Sequence, residues 1–130
     1  MIEQPQALPL LVDACPSFRQ SWENHLQEFG NDVQYIPAGH LADHLLALHR
    51  AGREEVFGPL AAAIERPLIE GSSWVKEFAT VGVLESIQNV WGNAGADLHV
   101  LTQNLGPEGR RQWELLIDFW SDASGNPVGD

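Results

Sequence analysis

The sequence predicts an all-α protein, a compact bundle of about six to seven short helices. Three observations carry that prediction. Apolar residues recur at helical spacing over most of the chain, Pro and Gly punctuate these runs, and no apolar–polar alternation is long enough for a sheet. Short connections favour antiparallel neighbours, with stacked helical hairpins as the alternative arrangement. No internal repeat period supports a true solenoid. At 130 residues the chain is read as one helical domain over 1–121, followed by a flexible C-terminal tail over 122–130 that is rich in Gly, Pro, Ser and Asp.

Each segment has its own start and stop signals. A first helix is expected from about Gln4 to Ala14, with Pro9 limiting its regularity. Pro16 suits the first turn of a second helix, because its missing N–H is not needed there. Phe18, Trp22, Leu26 and Phe29 share one face of it, and Gly30-Asn31 ends it. Asp32 to Ile36 is read as extended or a turn. Pro37 opens a third helix with Leu41, Leu45 and Leu48 on its core stripe, closing at Gly52.

A fourth helix spans about Arg53 to Glu70. Val56, Phe57, Leu60, Ala63, Ile64 and Leu68 form its apolar face, and Pro59 and Pro67 predict a kink or two shorter pieces. Ser72 or Ser73 is the expected N-cap of a fifth helix that reaches about Val90 or Trp91. Trp74, Phe78 and Val81 line one side of it, and Leu84, Ile87 and Trp91 another, so it is read as the central, buried helix. A short sixth helix uses Leu98, Leu101 and Leu105 and stops at Gly106. Pro107 opens the seventh, where Trp113, Leu116 and Trp120 lie together and Leu115, Ile117 and Phe119 widen the apolar arc. Arg110 and Glu114 are expected to pair on its outer face.

Composition narrows the function classes. At 44 % hydrophobic and 19 % charged residues, with five Trp and five Phe, the chain has the makings of an independent core. Cys15 has no intrachain partner and reads as a small buried hydrophobe, which makes the cytoplasm the expected compartment. No Lys or Arg precedes Arg19, so the basic region of a signal peptide is missing. No apolar stretch approaches the roughly 18 residues of a membrane span. The net charge of −11 disfavours nucleic acid and anionic membranes and would attract a basic protein partner. That charge is spread along the chain rather than concentrated. Glu28, Asp32, Glu54, Glu55 and Glu70 are the candidate contact residues for such a partner.

Residues that could carry chemistry are few. His40 and His44 stand four apart on one helical face, the spacing by which zinc hydrolases present two imidazoles, but Leu41 occupies the position of the general-base Glu. No metal site or cofactor is therefore assigned. His49 falls inside the Leu41/Leu45 stripe and is read as a buried polar residue that donates one N–H. His25 flanks Trp22 and Phe29 in the same way, and His99 is read as exposed. Glu85 is placed amid the aromatic face of the fifth helix, where a carboxylate must be paired, hydrogen-bonded or protonated. An Arg, a Trp N–H or a His would satisfy it. No phosphate-binding, nucleophile-elbow or C-x-x-C motif is present, and no catalytic residue is assigned.

Taken together, Ile64-Glu65, Gly82-Val83-Leu84-Glu85, Leu105-Gly106-Pro107 and Trp113 through Phe119-Trp120 resemble a family of small bacterial helical domains associated with immunity-type genes. The resemblance covers most of residues 10–121 and brings no catalytic residue with it. It implies a toxin-neutralising binder. The sequence is accordingly read as an acidic interaction module rather than an enzyme, with an immunity protein as the narrower form. The alternative is a small metal-dependent or acid/base enzyme built on His40 and His44 or on Glu85.

Overall fold

The computed structural model describes residues 1–125, with side chains through Ser121. The described residues form an all-helical fold without a strand, in the order α1 (Ala7–Ala14), α2 (Arg19–Phe29), α3 (Tyr35–Arg50), α4 (Phe57–Glu70), α5 (Ser73–Glu77), α6 (Glu85–Ala94), α7 (His99–Thr102) and α8 (Pro107–Gly125). Short 3-10 turns lead into α1, α2 and α4, and a π-helical segment, Phe78–Leu84, joins α5 to α6 without a break. The N-terminus is tied down by backbone bonds from Ile2 N–H to Glu70 and from Ser72 N–H to Ile2, each 2.9 Å. The tail expected over 122–130 lies, from residue 126 onward, outside the described residues.

Most boundaries follow the local chemistry. The 3-10 turn Pro16–Phe18 opens with the proline whose N–H is dispensable. Ser72 caps α5, its hydroxyl accepting from Val75 N–H at 3.3 Å. Gly30 and Gly52 follow α2 and α3 where they were expected. The third helix starts two residues earlier than Pro37, at Tyr35, so the extended segment is confined to the residues before it.

The two prolines of α4 do not divide it. Pro59 sits in the first turn, where the backbone N–H has no helical partner to lose, and Pro67 lies so close to the end that little helix remains beyond it. Val56 and Ala63 are half-buried, whereas Phe57, Leu60, Ile64 and Leu68 are buried as the pattern required.

Two parts of the expected core are corrected. Phe29 is 55 % exposed, because it ends α2 beside Gly30 and rests on His25 rather than on another helix. On α8, Trp113 is buried, but Leu115, Ile117, Phe119 and Trp120 are 43–60 % exposed. Arg110 turns to the Leu105 carbonyl, and among the described residues of this helix the ion pair is Arg111–Glu108 at 2.8 Å.

The core centres on Trp91, which is fully buried where α6 packs along α3. Its indole N–H donates to the Ala42 carbonyl at 3.2 Å, and its ring stacks on His49 and meets Phe57 edge-on. Full burial of an aromatic of this size contributes about 1.5–3 kcal/mol. The helix predicted to be central therefore is, on its Leu84, Ile87 and Trp91 side.

Its other side differs because of the π-helical segment. Each i→i+5 turn takes up about one residue more than an α-turn, so positions beyond it rotate away from the 3.6-residue projection. The Glu85 N–H bonds to the Thr80 carbonyl in this pattern. Val81 is 42 % exposed and Glu85 is half-buried, rather than both lying in a closed aromatic face. Thr80 and Ser86 hydroxyls donate to the carbonyls four residues back, at 3.0 and 2.6 Å, a bond that loosens helices. Gly82 completes the segment. A Cβ there would come within 2.8 Å of Phe78 and 3.2 Å of Tyr35, so its absence lets α3 approach.

Candidate functional site

The second half of α8 exposes four large apolar side chains, Leu115, Ile117, Phe119 and Trp120, and its position is set by three contacts along the helix. The first is a cap supplied from α4. Gly106 precedes Pro107 and has no side chain to cap the helix, so the Glu65 carboxylate does so instead. It accepts from Glu108 N–H at 2.9 Å and Gly109 N–H at 2.8 Å. A negative charge here also meets the positive end of the helix dipole. Gly106 leaves the room, because a Cβ there would lie 2.7 Å from the Glu65 carboxyl carbon.

The second contact is at mid-helix. Trp113 packs into the core, and the Gln88 amide of α6 donates to its carbonyl at 3.1 Å. The third is near the end of the described side chains, where Trp120 donates its indole N–H to Glu85 at 2.7 Å. Glu85 is thus satisfied by a Trp N–H, one of the three partners its chemistry allowed, but in a half-exposed position. The four sequence elements that carried the resemblance meet here. Glu65, Glu85 and Gly106-Pro107 all serve to seat the helix that holds Trp113 and Trp120.

Beyond Trp113 the helix carries an apolar arc, within which Phe119 meets Trp120 edge-on, beside an acidic strip. Leu115 and Phe119 stand one turn apart, with Glu114 and Asp118 beside them, all exposed. Ile117 and Trp120 line a shallow groove with Leu98, Gln88, Asn89 and Ser121. In the first turn, hydrogen bonds from the Gln112 amide, together with Arg111, hold the Glu108 carboxyl below its ordinary range.

The expected contact residues are placed differently. Glu28 and Asp32 are exposed at and beyond the end of α2. Glu54 accepts from His49 Nδ1 at 2.8 Å, Glu55 pairs with Arg53 at 2.7 Å, and Glu70 pairs with Arg66 at 3.2 Å. Arg53 holds the Glu55 carboxyl below its ordinary range. Glu54 and Glu55 precede α4 and Glu70 ends it, roughly 20 Å apart at 1.5 Å per residue. These carboxylates therefore do not form one strip along α4, and three of them already have a partner within the chain.

The histidines are also resolved. His49 is half-buried between Trp91 and Glu54, not enclosed in the core stripe. Among the described residues, the buried polar side chains are those of His25, whose Nε2 donates to the Val33 carbonyl at 2.7 Å, and Gln34. Gln34 accepts from Leu8 N–H and donates to the carbonyls of Gln4 and Asn31, joining the N-terminal turn to the loop before α3. Nothing in a lone Gln marked that role in the sequence. His40 is exposed, while His44 turns to Ser17, with 2.7 Å between Nε2 and Oγ. Among the described residues, no three His, Cys, Asp or Glu side chains converge as metal ligands would. No described helix is long and apolar enough to cross a membrane.

A family model described as a domain of unknown function, DUF7674, matches residues 8–121, and the chain belongs to that family. No curated protein and no solved structure matches it.

Proposed function

Starting from that membership, we propose that the chain is an acidic interaction module whose docking face is the second half of α8 and whose partner is a basic protein. The observation that carries the reading is the exposure of Leu115, Ile117, Phe119 and Trp120 on one well-seated helix. Contiguous apolar surface of this kind, rimmed by charge, marks interaction sites on folded proteins. Its rim is acidic, through Glu114 and Asp118, and the whole chain carries −11. A second copy would meet like charge across the face, so a basic partner with apolar anchors is the better complement. The groove between Leu98, Ile117 and Trp120 offers one such anchor a seat. The narrower reading, in which the partner is a toxin and the chain its immunity protein, rests on the resemblance and on the acidity.

Co-expression with the products of adjacent genes, followed by size-exclusion chromatography and titration of the purified pair, tests this. The expected result is a complex with a basic product that weakens as salt rises and is lost in Leu115→Asp/Phe119→Asp. Absence of any complex, or one indifferent to that double substitution, would overturn the reading. So would light scattering that showed the free chain dimerising through this face.

A further inference from the structure

A separate set of elements holds a second feature that docking through α8 does not use. Ser17, in the 3-10 turn before α2, lies 2.7 Å from His44 on α3, twenty-seven residues away in sequence. Both residues have a defined setting. The His44 ring is half-buried and packs at a tilt against Phe18, 5.6 Å between centroids. Ser17 is exposed and lines a concavity with Ala14, Pro16, Leu48, Val56 and Pro59, whose polar rim is Arg53 with Glu55.

We propose that Ser17 and His44 are a nucleophile–base pair that accepts the acyl group of a carboxylic ester whose apolar portion lies against Leu48, Val56 and Pro59. The geometry meets the first requirement of such a pair, a hydroxyl within hydrogen-bond reach of a base. Burial lowers the His44 pKa from its ordinary 6.5, so the ring is neutral at neutral pH and its Nε2 can take a proton. Arg53 uses its Nε on Glu55 at 2.7 Å and is the cation on the rim that can meet the developing oxyanion. Cys15 is a poor rival nucleophile, being fully buried with its thiol pKa raised by that burial.

The steps balance without a cofactor. Ser17 Oγ bonds to the acyl carbon as its proton passes to His44 Nε2. The C–O bond to the alcohol portion breaks, and the departing oxygen takes that proton back. Water then attacks the acyl-serine with His44 accepting its proton, which returns to Ser17 Oγ as the acid is released. Among the described residues no carboxylate hydrogen-bonds to the His44 ring, so activated esters are the expected substrates rather than amides.

The test uses the full chain with a fluorophosphonate probe and with p-nitrophenyl butyrate, the modified residue being mapped by peptide mass spectrometry. Modification at Ser17 is expected, and His44→Gln should slow it by about 100-fold. The rate should hold level at neutral pH and fall as His44 gains its proton below 6.5. That profile distinguishes a base from a mere tether between the two segments, since a tethered serine reacting through hydroxide would accelerate continuously with pH. Circular dichroism checks that His44→Gln stays folded. If it does not, Leu48→Trp, which fills the concavity and leaves the pair intact, should block modification instead. A probe that leaves Ser17 unmodified, or a pH profile without the plateau, would overturn the proposal. A positive result would revise the expectation that the chain is not an enzyme.

Discussion

The two halves of α8 differ both in apolar content, Trp113 standing alone among polar residues in the first and Leu115, Leu116, Ile117, Phe119 and Trp120 crowding the second, and in surroundings. The first half is capped by Glu65, buries Trp113 and receives the Gln88 amide. The second half packs Leu116 against the edge of the core, leaves Leu115 and Phe119 in solvent and bonds to α6 through Trp120 and Glu85. An amphipathic pattern shows that a face wants to be covered, not what covers it. In the first half the cover is the chain's own core. In the second the docking reading assigns it to a partner.

The sharpest way to break this comparison is to truncate one aromatic in each half. Trp113→Ala should cost about 3–5 kcal/mol, the range for emptying a core site of a large aromatic. Phe119→Ala, at a position 60 % exposed, should stay within roughly 0.5–1 kcal/mol. Urea denaturation of the two variants measures both. Equal losses would show that the second half is as much a part of the core as the first.

The cap should give the next largest effect. Glu65→Ala removes the acceptor of two backbone N–H groups and should cost about 1–3 kcal/mol. Gly106→Ala should destabilise by displacing the same carboxylate, since its Cβ would lie 2.7 Å from it. In the double variant Gly106→Ala should then add little, because the group it displaces has gone. Full additivity would mean that the glycine matters for another reason.

Local signals made the helices legible. The punctuation by Pro16, Gly30, Gly52, Ser72 and Gly106 and the Leu41/Leu45 and Leu84/Ile87/Trp91 stripes gave their order and the central helix. Their projection failed where the period changed. Nothing in Phe78–Leu84 distinguishes i→i+5 from i→i+4 bonding in advance, and Glu85 consequently moved from a closed face to a half-exposed one. The site was less legible still, because its bonds join residues far apart in sequence. Glu65 caps a helix more than forty residues away, and Ser17 finds His44 across a turn and a helix. A glycine before Pro107, where Ser or Asp would normally cap, was the one local sign that a cap must come from elsewhere. Among the acidic residues, Glu54, Glu55 and Glu70 were chosen without knowing that His49, Arg53 and Arg66 engage them.

The smallest effect belongs to the bond that ties the second half of α8 to α6. Trp120→Phe keeps the ring's bulk and deletes only the N–H that Glu85 accepts at 2.7 Å. A bond to a charged acceptor is worth about 1.5–3 kcal/mol at most, and partial exposure of both residues brings this one toward 1 kcal/mol or less. Glu85→Gln keeps an acceptor oxygen and should be nearly silent in the wild-type background. A double-mutant cycle of Trp120→Phe with Glu85→Ala isolates the coupling. If that coupling is small while Trp120→Phe still weakens the partner complex, the bond orients the indole for docking rather than holding the fold together. Coupling as large as the Glu65 cap would instead make the second half of α8 part of the folded core and remove the difference on which the docking reading rests.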